Sequence, residues 1–252
     1  MRGIPTGVQD LDTLIGGWQG GDLVIITNPS SADKMSLSLS VALTVATTSK
    51  QEVGFFSLDM HKQHVVHRLL AMHTGLDLHR LRTGWITDEE RTLVIATART
   101  LSKARLWIDD TADLSLAQLR QRARQLVEMH HITLLMVDHV HVIQPAVHGK
   151  GHKNSLQELG EIHRGLKALA VELNIPVLVF APIACAVGSR HTKRPQRSDS
   201  RESAPEKAIA HALFLYRDEL SELGPGSNNV VVGRIMVTKH QHGLVTELDI
   251  SI

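Results

Sequence analysis

The stretch that decides the fold of this chain is Leu23-Val24-Ile25-Ile26-Thr27-Asn28-Pro29-Ser30-Ser31-Ala32-Asp33-Lys34-Met35. Its apolar first half follows a glycine-rich turn and is typical of a short strand buried on both faces. Its second half has the spacing of a phosphate-binding loop, G-x-x-x-x-G-K-[ST], in which glycines let backbone N–H groups close around phosphate oxygens. Lys34 matches this pattern, whereas Asn28 and Asp33 replace the glycines and Met35 replaces the hydroxyl residue. The sequence therefore predicts a strand–loop–helix unit with an altered loop.

Strands and helices alternate along the rest of the chain. We predict strands at 53–58, 106–109, 132–138 and 176–181, and helices at 36–48, 62–73, 87–101, 116–130 and 156–172. Thr87 and Glu90 have the spacing of a capping box at the start of one helix. Final strands are predicted at 208–216, 230–238 and 244–250, the last two joined as an antiparallel hairpin. This alternation predicts an α/β fold with a mostly parallel twisted sheet flanked by helices. Ligands bind such sheets at the carboxyl ends of strands, where Lys34 and Asp138 are expected.

Composition limits the class of protein. The 252 residues are 42% hydrophobic and 21% charged, which is typical of a globular domain rather than a disordered chain. No apolar run approaches the roughly 20 residues that span a bilayer, and the single cysteine, Cys185, excludes an internal disulfide. We therefore expect a cytoplasmic protein without membrane contact. The net charge of +1 gives no global argument for nucleic-acid binding, so such binding depends on local clusters.

Sixteen histidines are an unusually high number, yet they lack cysteine partners and H-E-x-x-H spacing. His61, His64 and His67 lie at helical spacing, which fits either a surface metal site or a solvated helix face. His139 and His141 alternate on an extension of a predicted strand. We interpret these two as packed or hydrogen-bonded histidines rather than ligands.

Eight further segments form a pattern when they are taken in order. They are residues 3–7 with 10–12, 56–60, 81–84, 108–111, 137–138, 166–170, 193–195 with 198–203, and 214–218. Together they resemble the C-terminal motor domain of DnaB-type replicative DNA helicases, a branch of the RecA-like P-loop ATPases. The resemblance covers nearly the whole chain and implies a RecA-like fold. We expect a single motor domain over 1–252, with the N-terminal primase-contact domain of such helicases absent.

The resemblance assigns roles to individual residues. The implied nucleotide-binding positions are Ser31, Asp33, Lys34 and Met35. Asp138 matches the aspartate that orients Mg²⁺ and its water, which makes it the implied metal ligand. Asp59 occupies the place of a catalytic glutamate and is one methylene shorter, and Lys239 matches a lysine near the final hairpin. ATP and Mg²⁺ are the implied cofactors.

The same site departs from the family at four positions. Met35 has no oxygen for Mg²⁺. Asp33 would set a carboxylate beside a phosphate, and two like charges about 4 Å apart repel by about 4 kcal/mol at an effective dielectric of 20, roughly a thousandfold in affinity. Pro182 replaces a polar nucleotide sensor, and Gln241 replaces an arginine finger, whose loss removes roughly 10³–10⁵ in rate. We therefore expect weak hydrolysis or none.

Two stretches match the loops that contact DNA in the central channel of the helicase ring. They are 148–154, with Lys150 and Lys153, and 189–201, with Arg190, Lys193 and Arg194. Cations without aromatic neighbours suit contacts with phosphates rather than base stacking. The alternative interpretation is a pair of disordered basic surface loops.

Two hypotheses of function follow. The first is a motor domain of the ATP-dependent DNA-unwinding type with a degenerate ATPase site, whose enzymatic activity the sequence leaves open. The second is a non-catalytic paralogue that binds DNA or an active helicase and regulates it. The implied partners are single-stranded DNA and either copies of this chain, in a ring hexamer, or an active replicative helicase.

Overall fold

The computed structural model describes residues 3–28, 31–144, 155–182, 209–216, 232–239 and 246–251. Its helices are α1 (Gln9–Ile15), α2 (Ser31–Thr47), α3 (Lys62–Thr74), α4 (Leu78–Thr83), α5 (Asp88–Leu101), α6 (Leu116–His130) and α7 (Ser155–Leu173), with a 3₁₀ helix at Val140–Val142. Its strands are β1 (Leu23–Asn28), β2 (Val53–Ser57), β3 (Leu106–Asp109), β4 (Leu134–Asp138), β5 (Val177–Pro182), β6 (His211–Tyr216), β7 (Val232–Lys239) and β8 (Thr246–Ser251). Within these ranges, no helix is long and apolar enough to cross a bilayer.

The strands form one sheet in the order β3-β2-β4-β5-β1-β6-β7-β8. Pairs among β1 to β6 are parallel, whereas β6–β7 and β7–β8 are antiparallel. This confirms the predicted α/β class, the mostly parallel sheet and the C-terminal antiparallel hairpin. The register sets Asn28 opposite Pro182 and Ser57 opposite Asp138, so the carboxyl ends of β1, β2, β4 and β5 meet at one edge of the sheet.

Apolar layers cover both faces of the sheet, which explains the continuous apolar run of β1. Val24 and Ile26 belong to one buried cluster together with residues of α2 and α3. Leu23 and Ile25 belong to a second cluster together with residues of α6 and α7. Full burial of such a side chain contributes roughly 1.5–3 kcal/mol, so every residue of the run favours a central position in the sheet.

The helix after β1 begins earlier than predicted. We expected 36–48, whereas α2 begins at Ser31, so the backbone of Lys34 already lies in its first turn. The reason is that residues 31–36 contain neither glycine nor proline, so nothing in this stretch opposes helical backbone angles. The predicted boundary was wrong because the loop had been identified from spacing rather than from local propensity.

Two short helices, α1 and α4, were not predicted, although α4 carries clear end signals. The side chain of Asp77 accepts a hydrogen bond from the Arg80 amide at 3.0 Å, and Gly84 closes the helix with φ of 76°. The capping box predicted for α5 is confirmed. The Glu90 amide donates to Thr87 Oγ1 at 3.3 Å, and the Thr87 amide donates to Glu90 Oε2 at 2.8 Å.

Close packing and ion pairs join α6 to α7 beneath the sheet. A Cβ added to Gly165 would clash with the Leu116 side chain, so the glycine permits the short distance between the helices. Arg124 and Arg120 both donate to the Glu172 carboxylate. These bonds, led by the one from Arg124, lower the pKa of Glu172 to about 2.

Candidate functional site

Asp138 ends β4 in the interior of the sheet, between β2 and β5. All five residues of β4 are buried, and the Asp138 side chain itself is only 2% exposed. A buried carboxylate is favourable only where cations or hydrogen-bond donors satisfy it. The position of Asp138 is therefore compatible with either a metal ligand or a member of a polar network, and its role as a ligand stays a prediction.

The altered phosphate loop lies at the carboxyl end of the neighbouring strand β1. The backbone of Ser31, Asp33 and Lys34 forms the start of α2. Their side chains lie outside the described part of the structure, so their assignment to nucleotide binding stays a prediction.

Met35 is the residue of this loop whose side chain is described, and it faces the protein interior. It is 5% exposed and belongs to the same apolar cluster as Leu39 and Met136. Ser38 Oγ donates to the Met35 carbonyl at 2.8 Å and lies 3.7 Å from the Met35 sulfur. The position that carries a Mg²⁺-binding hydroxyl in the loop pattern G-x-x-x-x-G-K-[ST] is thus filled here by a thioether packed into the core.

Asp59 follows β2 and lies beside the end of β4. Its side chain is 69% exposed, and its Oδ2 is 3.9 Å from Nε2 of His139. The rings of His139 and His141 are 5.9 Å apart at an interplanar angle of 56°. We expected these two histidines on a strand extension, but β4 ends at Asp138 and the 3₁₀ helix follows, so that prediction was wrong. The structure therefore brings Asp59, Asp138 and His139 together at one strand end.

Hydrogen bonds fix the turn of residues 58–61, which we call the Asp59 turn. The Leu58 amide donates to the Asp138 carbonyl at 2.8 Å. Ser57 Oγ donates to the Met60 carbonyl at 2.5 Å, closing the turn on itself. The side chain of Asp59 thus projects from a turn that is attached to β4.

Two carboxylates after β3 contact different helices. Asp109 accepts from Arg122 of α6 at 2.9 Å and from the Thr111 amide at 3.0 Å. Burial opposes ionisation of Asp109, but the bonds from Thr111 and Arg122 outweigh it and lower its pKa. Asp110 accepts from the Lys62 amide of α3 at 2.9 Å, and this bond lowers the pKa of Asp110. Neither contact was predicted, although two adjacent carboxylates at a strand end are a signal that could have prompted the search.

His163 of α7 lies inside the protein near His141 and is fully buried. Burial disfavours its imidazolium form and lowers its pKa to about 4, against the opposing effect of the Leu159 carbonyl, while His141 adds to the shift. At neutral pH this side chain is therefore an uncharged part of the core.

The side chains of the other predicted site residues are not among those that the structure describes. Lys239 ends β7 and its backbone pairs with Ala212, but its side chain is not among the described ones. The proposed DNA-contact residues Lys150, Lys153, Arg190, Lys193 and Arg194, and the finger position Gln241, lie outside the described residues. Among the described residues, no three His, Cys, Asp or Glu side chains are arranged to hold a metal ion.

Comparison with known proteins identifies the relatives of this chain. Residues 3–252 match the DnaB-like helicase C terminal domain family. The replicative DNA helicase DnaB of Geobacillus stearothermophilus is 34% identical over 252 residues, which cover 100% of this chain and 55% of the relative. The replicative DNA helicase DnaC of Bacillus subtilis is 32% identical over the same shares. The chain thus spans about half the length of these curated relatives.

Solved structures show the same fold. One solved ATPase domain matches with a TM-score of 0.86 at 24% identity, covering 98% of this chain and 87% of that one. A DnaB-like replicative helicase that interacts with primase matches with a TM-score of 0.87 at 24% identity, covering 100% of this chain and 61% of that one. The fold is therefore that of these RecA-like ATPase domains. Together with the family match, this shows that the chain belongs to the family of DnaB-like helicase C-terminal domains.

Proposed function

We propose that this chain is a replicative-helicase motor domain that binds single-stranded DNA and has a degenerate ATPase site with weak hydrolysis or none. The observation that carries the proposal is the burial of Met35. In P-loop ATPases a hydroxyl at this position holds Mg²⁺ against the nucleotide phosphates. Here the side chain has no oxygen and is 5% exposed within an apolar cluster. At this position the residues do not fit bound Mg²⁺ with ATP.

Charges and substitutions elsewhere support the same proposal. Asp33 adds a negative charge where phosphates would lie, and Pro182 and Gln241 stand at the sensor and finger positions. Lys34, Asp59, Asp138 and Lys239 keep side chains of the required kind. We propose that they are the vestige of an ATP site, with Asp138 as the group that would face Mg²⁺ and its water.

A titration of fluorescent ATP with Mg²⁺, beside a phosphate-release assay with single-stranded DNA, tests this proposal. The unaltered chain should show little binding and little release. Asp33→Gly with Met35→Thr should restore saturable binding, since the first change removes the repelling charge and the second supplies a hydroxyl. The matched control is Asp33→Gly with Met35→Leu, which removes the same charge and keeps the burial but adds no oxygen. Phosphate release equal to that of a working DnaB helicase assayed beside it would overturn the proposal.

The proposed DNA contacts lie on the two basic stretches. Binding of labelled oligo-dT is measured by fluorescence anisotropy between about 50 and 200 mM salt. The logarithm of the association constant should fall linearly with the logarithm of the salt concentration. Replacing Lys150 or Lys193 by alanine should reduce the slope by about 0.7 for each lost phosphate contact on a single strand. Lys103→Ala, an exposed lysine outside both stretches, is the control. Equal slopes for all variants would favour the interpretation as basic surface loops without a DNA role.

Assembly is part of the same proposal. A chain with cationic loops and a weakened ATPase site could serve in a ring of its own copies or beside an active helicase as a regulator, in the cytoplasm. Mass photometry of the chain alone, and then mixed with a working DnaB helicase, distinguishes the two arrangements. A ring of about six copies supports self-assembly, mixed rings support the regulatory paralogue, and monomers in both samples contradict assembly.

A further inference from the structure

Helix α3 lacks an N-terminal cap of its own. Within the described part of the chain, His61 at its N-cap makes no capping hydrogen bond with its side chain, and the first turn contains no acidic residue. Helices α4, α5 and α6 are all capped by their own N-cap side chains, from Asp77, Thr87 and Ser115. The backbone N–H groups at a helix start bond to water, to nearby carbonyls or to side chains, so a carboxylate from another segment can take the place of the missing cap.

Asp110, from the segment after β3, supplies that carboxylate. Its Oδ2 accepts a hydrogen bond from the Lys62 amide at 2.9 Å across 48 residues of sequence. Its Oδ1 lies 3.8 Å from Lys62 Nζ, and its Oδ2 lies 3.7 Å from His61 Nδ1. A carboxylate at a helix N terminus is further stabilised by the helix dipole. Asp110 therefore holds the first residue of α3 against the end of β3.

The Asp59 turn lies between this contact and the end of β4. At one end of the turn, the Leu58 amide is bonded to the Asp138 carbonyl. At the other end, Lys62 is bonded to Asp110. The side chain of Asp59 is mostly exposed. Its position therefore depends on the backbone of the turn, which is fixed at both ends by these two bonds.

We propose that Asp110 is a positioning residue that sets the Asp59 carboxylate relative to Asp138 by tethering the start of α3 to β3. Removal of the Asp110 carboxylate frees one end of the Asp59 turn, and the loosened turn then strains or releases the Leu58–Asp138 bond at its other end. The inference rests on the proposed function in one respect, since it takes Asp59 as the carboxylate that stands in the place of the catalytic glutamate of that site.

Amide hydrogen exchange in the unaltered and variant chains tests the tether without nucleotide. In Asp110→Ala, the Lys62 amide should exchange about tenfold faster because its partner is lost, and the Leu58 amide should also exchange faster. Asp110→Asn keeps an acceptor oxygen and should show a smaller change. Asp109→Ala removes the adjacent carboxylate, which contacts α6 rather than α3, and should leave both amides unchanged. Unaltered exchange at Lys62 in Asp110→Ala would overturn the proposal.

A second variant separates positioning from simple helix capping. His61→Ser added to Asp110→Ala gives α3 a local cap but does not restore the tether to β3. The thermal midpoint should then recover while the Leu58 amide stays in fast exchange. Full recovery of Leu58 protection by His61→Ser would show that Asp110 acts as a cap alone.

Hydrolysis is measured in the Asp33→Gly, Met35→Thr background with Gln241→Arg added, because loss of the finger residue alone would reduce the rate by about 10³–10⁵. Adding Asp110→Ala should lower the phosphate-release rate at saturating ATP at least tenfold, because small displacements of a catalytic group have effects up to about a hundredfold. The KM for ATP should change less than about twofold, since the phosphate loop is untouched. If this background binds no nucleotide, the proposed function fails, whereas the exchange result still decides the role of Asp110. An unchanged rate in a background that does hydrolyse ATP would refute the positioning role.

Discussion

Replacement of the buried histidine of α7, His163→Met, should remove about 2 kcal/mol of the stability that this protein loses between pH 7.5 and pH 5. The side chain is fully buried, and burial is the largest cause that brings its pKa from 6.5 to about 4. Methionine has a similar volume and no titratable group, and it adapts readily to irregular core space. The substitution therefore tests the protonation of one core residue with little change in packing.

The direction of the effect follows from the two pKa values. In the unfolded chain His163 takes up a proton near pH 6.5, whereas in the folded protein it does so only near pH 4. Between these values the unfolded state binds more protons, so the free energy of unfolding falls as the pH falls. The loss is about 1.4 kcal/mol per pH unit, which amounts to about 2 kcal/mol at pH 5 and about 3 kcal/mol below pH 4. Above pH 7 His163 contributes no pH dependence.

Urea unfolding followed by circular dichroism at pH 7.5 and pH 5.0 measures this effect. All other titrating groups are common to both proteins, so their contributions cancel in the comparison. The unaltered chain should lose about 2 kcal/mol more between the two pH values than His163→Met. His64→Gln, on the exposed side of α3, should retain the full loss and serves as the control. Parallel losses in the unaltered chain and His163→Met would refute the assignment of a neutral buried imidazole.

Three further substitutions test packing and capping, each by the same urea assay at pH 7.5. Gly165→Ala should lower the free energy of unfolding by about 1–3 kcal/mol because the added Cβ meets the Leu116 side chain. Leu116→Val in the same chain should recover part of this loss. An unchanged stability of Gly165→Ala would contradict the close packing of α6 on α7. Thr87→Ala removes one half of the capping box with Glu90 and should cost about 1 kcal/mol, together with faster amide exchange in the first turn of α5. Met35→Thr should lower the free energy of unfolding by about 1–3 kcal/mol, whereas Met35→Leu should lower it by less than about 1.5 kcal/mol. Equal losses for the two variants would show that the Met35 side chain is not buried among apolar groups.

The sheet was predictable because its most apolar segments have few other places in a folded domain. A continuous apolar run such as 23–27, followed by helical periodicity, has one favourable place in an α/β fold, the centre of a sheet covered on both faces. The capping box at Thr87 was equally readable because both of its bonds are local in sequence. The start of α2 was misplaced because similarity to a loop pattern was given more weight than the absence of glycine and proline in residues 31–36.

The strand-end site was predictable only in part. Asp138 follows from a rule of the fold, since the carboxyl ends of parallel strands meet at one edge. The contacts of Asp59 with His139 and of Lys62 with Asp110 join segments far apart in sequence, and no periodicity or spacing links them. Their partners are decided by the order β3-β2-β4, which sets the ends of three strands side by side. Sequence patterns predict the helices and strands, but the strand order was needed to show which side chains lie next to one another at the strand ends.

The regular start of α2 and the loss of the phosphate-loop signature have one physical cause. A phosphate loop violates local preferences, because it needs glycines at the turn into the helix and a polar hydroxyl beside the core. In this chain a residue without glycine's flexibility stands at 33 and an apolar one at 35, and α2 runs unbroken from Ser31 with Met35 buried. A helix N terminus favours a negative charge, and Asp33 supplies one in the first turn of α2. A bound phosphate would otherwise make this interaction. Both loop changes that we propose to oppose nucleotide binding, Asp33 and Met35, are thus ones that suit an ordinary helix packed on a sheet. Restoring the loop with Asp33→Gly and Met35→Thr should therefore lower stability while it raises nucleotide affinity, and a gain in both would contradict this account.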